Sequence, residues 1–176
     1  MLLMLLAKPE ATGLAGAIAN AAAPWAKVYG DYKAISAGVL FLHLAPLVFA
    51  AGAAFTADRA TLRALKLGTA ERARQLQDLA AIHRVVLFGL TLSLISGILL
   101  FLSDVETFLG SVFLWIKLAL VGLLVVNGFL MTRTEKALAN SDGDPALWAR
   151  MRTIALLSAV LWLATTLAGV VLKEFA

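Results

Sequence analysis

The chain has 176 residues, 61% of them hydrophobic and only 15% charged, and its mean hydropathy is +0.90, which excludes a soluble globular domain of ordinary composition. It contains no cysteine, so disulfides, thiolate metal sites, iron–sulfur clusters and a cysteine nucleophile are excluded as well. The net charge of +4 and the pI near 9.7 suit Lys and Arg that flank membrane spans, and nucleic acid is set aside as a partner.

A hydrocarbon core of about 30 Å takes about 20 helical residues per crossing, so this length holds four or five spans and no separate extramembrane domain. The opening run MLLMLLAKPEATGLAGAIANAAAPW lacks a basic start, and its first apolar stretch stops at Lys8, so it is expected to be retained rather than removed as a signal peptide. Residues 10–30 are Ala-rich and weakly amphipathic, are broken by Pro24, and lead into Trp25, Tyr29 and Tyr32, aromatics that suit an outer interface. Residues 1–33 are therefore expected to form an N-terminal interfacial segment with a short or surface-lying helix.

Four spans follow, at about 34–57, 80–103, 108–132 and 153–172, the third interrupted only by Lys117. Continuous apolar runs without period-2 alternation exclude barrel strands. The expected fold is an all-α integral membrane protein, an antiparallel bundle of four transmembrane helices with the N-terminal segment added. The first connection contains TAERARQLQDL, charged and helix-favouring, so spans 1 and 2 should project beyond the bilayer core. Residues 104–110 are expected to form a short turn, and NSDGDP marks another before Trp148.

The connection between spans 1 and 2 carries Arg59, Arg63, Lys66, Arg72, Arg74 and Arg84, and that between spans 3 and 4 carries Arg133, Lys136, Arg150 and Arg152. The opposite side holds only Lys8, Lys27, Lys33 and Lys173. By the positive-inside rule the two cationic loops face the cytoplasm of a bacterial inner membrane and both termini are periplasmic. Small residues recur at helix-packing spacings: Gly38, Ala45 and Gly52 in span 1, Gly89, Ser93 and Gly97 in span 2, and Thr165 and Gly169 in span 4. These stripes are expected to bring helix backbones close together within one chain and to carry no chemistry.

Four polar positions within the spans call for explanation, because an ionisable group in a span is costly and marks a functional site by default: His43, His83, Lys117 and Asn127. His43 lies about 14 Å and Lys117 about 9 to 15 Å below the outer ends of spans 1 and 3, so the two share a layer. His83 and Asn127 form a second layer near the inner surface with Asp58, Arg59 and Arg84. The histidines then differ in depth by about 15 Å, which disfavours a b-type haem with both as axial ligands. The remaining arrangement is a single metal or cofactor ligand, His43, presenting one nitrogen to a haem, a porphyrin or a quinone. Lys117 beside it would act as a cation for propionates, a proton donor or a weak ligand. Against these stand simpler roles: His83 as an interfacial residue, Lys117 as a snorkelling cation, and Asn127 as an interhelical hydrogen bond.

The runs HLAPLVFAAGAAFTADR (residues 43–59), FLWIKLALVGLL (residues 113–124) and VVLKEF (residues 170–175) together resemble the small four-helix membrane proteins of the HemJ type, which oxidise protoporphyrinogen in bacterial haem synthesis. They are similar as well to CopD-type copper-transport domains. The HemJ-type resemblance implies an intramembrane His on the first helix and a Lys on the third as the functional pair, and those map onto His43 and Lys117. For copper passage, Met131 and Met151 sit near the inner face, and Met1 and Met4 at the N-terminus.

Two functions are expected from different classes. The first is a redox protein binding haem b or a porphyrin in an outer-leaflet cleft between spans 1 and 3, with His43 and Lys117 as catalytic and cofactor-binding residues and His83 and Asn127 as further cofactor contacts. The second is a non-catalytic accessory or assembly subunit that docks other membrane-protein subunits through its small-residue stripes.

Overall fold

The computed structural model describes residues 13–141 and 144–175, and every regular element among them is helical. In chain order these are α1 (Leu14–Asp31), α2 (Lys33–Ala64), α3 (Thr69–Ser103), α4 (Val105–Gly110), α5 (Val112–Ala139) and α6 (Pro145–Phe175). Four of them, α2, α3, α5 and α6, are long and apolar enough to cross a membrane. Met1, Met4, Lys8 and the expected retention of the N-terminus, Asp142 and Gly143 of the NSDGDP turn, and Ala176 lie outside the described residues.

The long helices outrun the apolar runs that nucleate them. The longest, α3, has 35 residues, about 52 Å at the helical rise, because the Ala, Glu, Arg, Gln and Leu of TAERARQLQDL are good helix formers. The α2–α3 connection shrinks to residues 65–68. There the Arg72 guanidinium reaches back to the carbonyls freed at the end of α2, donating from Nη2 to Leu65 O at 2.9 Å and from Nε to Ala64 O at 3.3 Å.

Two local expectations are corrected. Pro24 does not break the N-terminal segment, since α1 continues through it. Pro24 and Asn20, whose carbonyl lacks its usual amide partner, are both exposed, so the missing bond falls on an outer face, while Trp25 anchors the other side by donating from Nε1 to Leu99 O at 2.8 Å. Residues 104–110 are not a bare turn. Asp104 accepts from the Thr107 amide at 3.3 Å and caps the six-residue α4, so the third long helix begins at Val112 rather than near 108.

Contacts fix how the long helices run. Gln75 of α3 bonds Thr61 of α2, Gly89 abuts Pro46 and Ala50, and Ser93 bonds His43, so the two helices are antiparallel. Asn127 of α5 meets Ile154 of α6, Lys117 meets Gly169, and the Phe113 and Phe175 rings lie 5.8 Å apart, so these two are antiparallel too. Packing of α2 on α3, α3 on α5, α5 on α6 and α6 on α2 closes a ring in which α2 and α5 are diagonal. The α1 helix lies against α3, α4 and α2.

Burial does not follow hydrophobicity alone. Bulky apolar side chains such as Phe41, Phe49, Phe88, Phe129 and Leu167 are exposed, while Asp58, Thr61, Ser93, Ser96, Asn127 and Ser158 are buried. Outward apolar and inward polar residues are the arrangement that lipid as solvent favours. Met131 and Met151 pack in an apolar core with Leu79 and Trp148, so these two sulfurs are packing groups.

The small-residue stripes divide. A Cβ on Gly89 would meet Pro46 O at 2.7 Å and Ala50 Cβ at 2.8 Å, which makes Gly89 the closest crossing of α2 and α3. Gly38 and Gly52, by contrast, are exposed with nothing within 4 Å of a Cβ, so the span 1 stripe does not serve intrachain packing. Gly128 of α5 faces open space as well.

Candidate functional site

The outer layer is built around a proline. Pro46 lies inside α2 and has no amide hydrogen, so the carbonyl of Leu42, four residues earlier, is left without its helical donor. From α3, the Ser96 hydroxyl stands 3.2 Å from that carbonyl, and the Ser93 hydroxyl donates to the carbonyl of His43 at 3.1 Å. Ser93 thus supplies a donor across the interface beside the proline, while the single hydroxyl hydrogen of Ser96 is shared between Leu42 O and the carbonyls of Leu92 and Ser93 in its own helix, at 2.9 and 3.1 Å. His43 fits into the same notch, its Cε1 3.1 Å from where a Gly97 Cβ would stand.

His43 Nδ1 is 2.9 Å from the Ser93 carbonyl oxygen. A carbonyl can only accept, so Nδ1 carries the proton and donates, and Nε2 of the neutral ring keeps the lone pair. Among the described residues nothing bonds Nε2. A histidine tied through one nitrogen to a backbone carbonyl, with the other nitrogen available, is prepared to act as a ligand or a base.

Lys117 reaches the same layer from the diagonal helix. Its Nζ lies 3.6 Å from where a Gly169 Cβ would be, an ordinary contact distance, so the ammonium rests against α6 at this glycine. The α2 and α5 backbones do not pack on each other, so His43 and Lys117 stand on helices that share no interface. The span 2 stripe is therefore more than a spacer, because a Cβ at Gly97 would crowd the His43 ring.

His83 and Asn127 belong to a separate inner layer. Since His43 is level with Ser93 and Gly97, His83 lies ten to fourteen residues further along α3, about 15–21 Å away. One iron cannot take both rings as axial ligands across that distance. His83 lines a cavity of about 300 Å³ with Asp58 of α2, Asn127 of α5, and Ser158 and Trp162 of α6, so all four long helices contribute to the wall. Arg59 and Arg84, next in the chain to Asp58 and His83, are exposed and do not line the cavity.

The polar atoms of that cavity are incompletely satisfied. Asn127 Nδ2 donates to Ile154 O at 3.2 Å, making the expected interhelical bond, while its Oδ1 is buried without a partner. Ser158 bonds the Asp58 carboxyl, and Asp58 Oδ2 is likewise buried and unpaired. His83 Nδ1 stands 3.1 Å from Glu135 Oε2, close enough for an ion pair but without hydrogen-bond alignment, so both ring nitrogens lack a hydrogen bond. Among the described residues no cluster of three or more His, Asp or Glu could hold a metal ion.

Glu135, Ser93, Ser96 and Pro46 are the site residues that sequence reasoning missed. The signal for the serines was present, since Pro46 in mid-span demands a donor from a neighbour and Ser93 and Ser96 lie one turn apart in the adjacent span. Glu135 offered none, standing among the charges of a loop end. No family model, no curated protein and no solved structure matches the chain, so the resemblance to HemJ-type proteins rests on the quoted runs alone.

Proposed function

We propose that the chain is a multi-pass protein of the bacterial inner membrane, an antiparallel four-helix bundle with both termini periplasmic, that binds haem b or a porphyrin in a redox role. His43 Nε2 would hold the group as ligand or accept a proton from it, and Lys117 would supply the cation for an anionic substituent. The observation that carries this reading is the His43 Nδ1 bond to the Ser93 carbonyl, which leaves Nε2 as the one available lone pair of the ring. The donor set fits a single protein ligand to iron, with Lys117 in the same layer; bound haem would supply one-electron chemistry. The HemJ-type resemblance supplies the analogy for the His–Lys pair, and the ten cationic residues of the two loops support the orientation.

An absorption spectrum of the purified protein tests this. A Soret band should co-purify, should disappear in His43→Ala, and should persist in His83→Ala. Colourless protein that purifies only with other chains would replace this reading with that of an accessory subunit, and equal loss from both substitutions would overturn the assignment to the outer layer.

A further inference from the structure

Three buried polar groups surround the inner cavity, and none of them is explained by the site at His43. Asp58 and Asn127 are 4% and 3% exposed, yet Asp58 Oδ2 and Asn127 Oδ1 have no hydrogen-bond partner, and neither do the two nitrogens of His83. Unpaired polar atoms buried in an apolar surround are destabilising, and their convergence on one cavity points to something that pairs with them. Two of the orphans, the carboxylate oxygen and the amide oxygen, are acceptors, and a neutral His83 adds one acceptor and one donor. The complement is a small group with at least two hydroxyl donors.

The remaining wall says how such a group arrives. Leu87 of α3 and Val125 and Phe129 of α5 line the cavity and are also exposed, so it reaches the outer apolar surface between these two helices. Gly128 lines the same mouth with nothing within 4 Å of a Cβ. A ligand entering there comes from the hydrocarbon layer, with its apolar part left between α3 and α5. Trp162, buried in the apolar core, adds an aromatic side chain to the wall. A volume of about 300 Å³ accommodates one substituted six-membered ring and falls in the range of small-molecule sites.

We infer that the cavity between α3 and α5 is a binding site for the headgroup of a lipid-soluble dihydroxybenzene, a quinol, whose hydroxyls donate to Asp58, Asn127 and His83 while its apolar tail leaves past Gly128. The oxidised quinone carries only acceptors and cannot pair with the carboxylate and amide oxygens, so the site discriminates by redox state. This site lies in a different layer from His43 and does not depend on what binds there.

The test is titration calorimetry on the full chain in detergent micelles, with a short-chain ubiquinol and, in parallel, its oxidised form. The quinol should bind saturably, and the quinone about tenfold or more weaker, the factor expected when buried acceptors are left unpaired. Asn127→Leu should reduce the preference for the reduced form, since only the Asp58 acceptor is then left. Because that change sits in the core, Gly128→Phe provides the second variant: its Cβ meets nothing within 4 Å, and a ring in the mouth should abolish binding of both forms while thermal stability is kept. His43→Ala should leave quinol affinity unchanged. Absence of saturable binding to the wild type, equal affinity for the two redox forms, or undiminished binding in Gly128→Phe would each overturn the inference.

Discussion

The tightest backbone crossing, at Gly89, allows a quantitative test of how packing and chemistry are joined in this protein. In Gly89→Ala the new methyl would lie 2.7 Å from Pro46 O and 2.8 Å from Ala50 Cβ, and the first obstacle is backbone, which cannot rotate away. Reaching an ordinary contact of 3.4 Å requires about 0.7 Å of separation between α2 and α3, and overpacking of this kind costs about 1–3 kcal/mol. The same opening one turn away would stretch the bond from His43 Nδ1 to Ser93 O from 2.9 Å to about 3.6 Å, beyond hydrogen-bonding distance. The lock on the His43 tautomer would then be lost together with the helix contact. The matched control is Gly52→Ala on the exposed face of α2, where a Cβ meets nothing, and where removing a helical glycine is neutral or stabilising by up to about 1 kcal/mol. Reversible denaturation in mixed micelles gives the stability of both variants, and the absorption spectrum of the same samples gives bound pigment. Gly89→Ala should be the less stable of the pair and should lose pigment, while Gly52→Ala keeps both. Indistinguishable behaviour would refute the crossing geometry on which the His43 site is built.

Ser96→Ala should destabilise the protein by about 1–3 kcal/mol by leaving the Leu42 carbonyl unpaired, and by less in a Pro46→Ala background, where the restored amide serves that carbonyl. A double-mutant cycle measures the coupling, and strict additivity would show that Ser96 does not compensate the proline. Lys117→Met should leave the protein at least as stable, since it removes a charge costing about 2.5–3.5 kcal/mol at the centre of a span, and should deplete bound pigment; a stable variant with unchanged pigment would leave Lys117 without a role. A reporter fused after the C-terminal residue should be active in the periplasm, because the ten loop cations hold the opposite ends of the spans inside; cytoplasmic activity would invert the assigned layers.

Composition and the order of residues determine a good deal of this protein. Four runs poor in charge become four long helices, because in an apolar run the helix satisfies every backbone polar group locally. The depths of His43 and His83 follow from counting residues at a fixed rise, and the contacts of His43 with α3 reproduce their separation. Which face of each helix turns inward is another matter. Gly38, Ala45 and Gly52 look like a packing stripe as much as Gly89, Ser93 and Gly97 do, yet Gly38 and Gly52 are exposed and Gly89 marks the closest crossing. Lipid-facing and core-facing positions are both apolar, so hydropathy has no period to report, and only the fit of one helix against the next selects the face. The same holds for the inner cavity, where Asp58, His83, Asn127 and Ser158 come from four helices and meet because of how the helices pair. The sequence determined which groups would be costly to bury; only the packing decided which of them are satisfied, as His43 is by Ser93, and which are left with an unpaired atom facing a cavity, as Asp58 and Asn127 are.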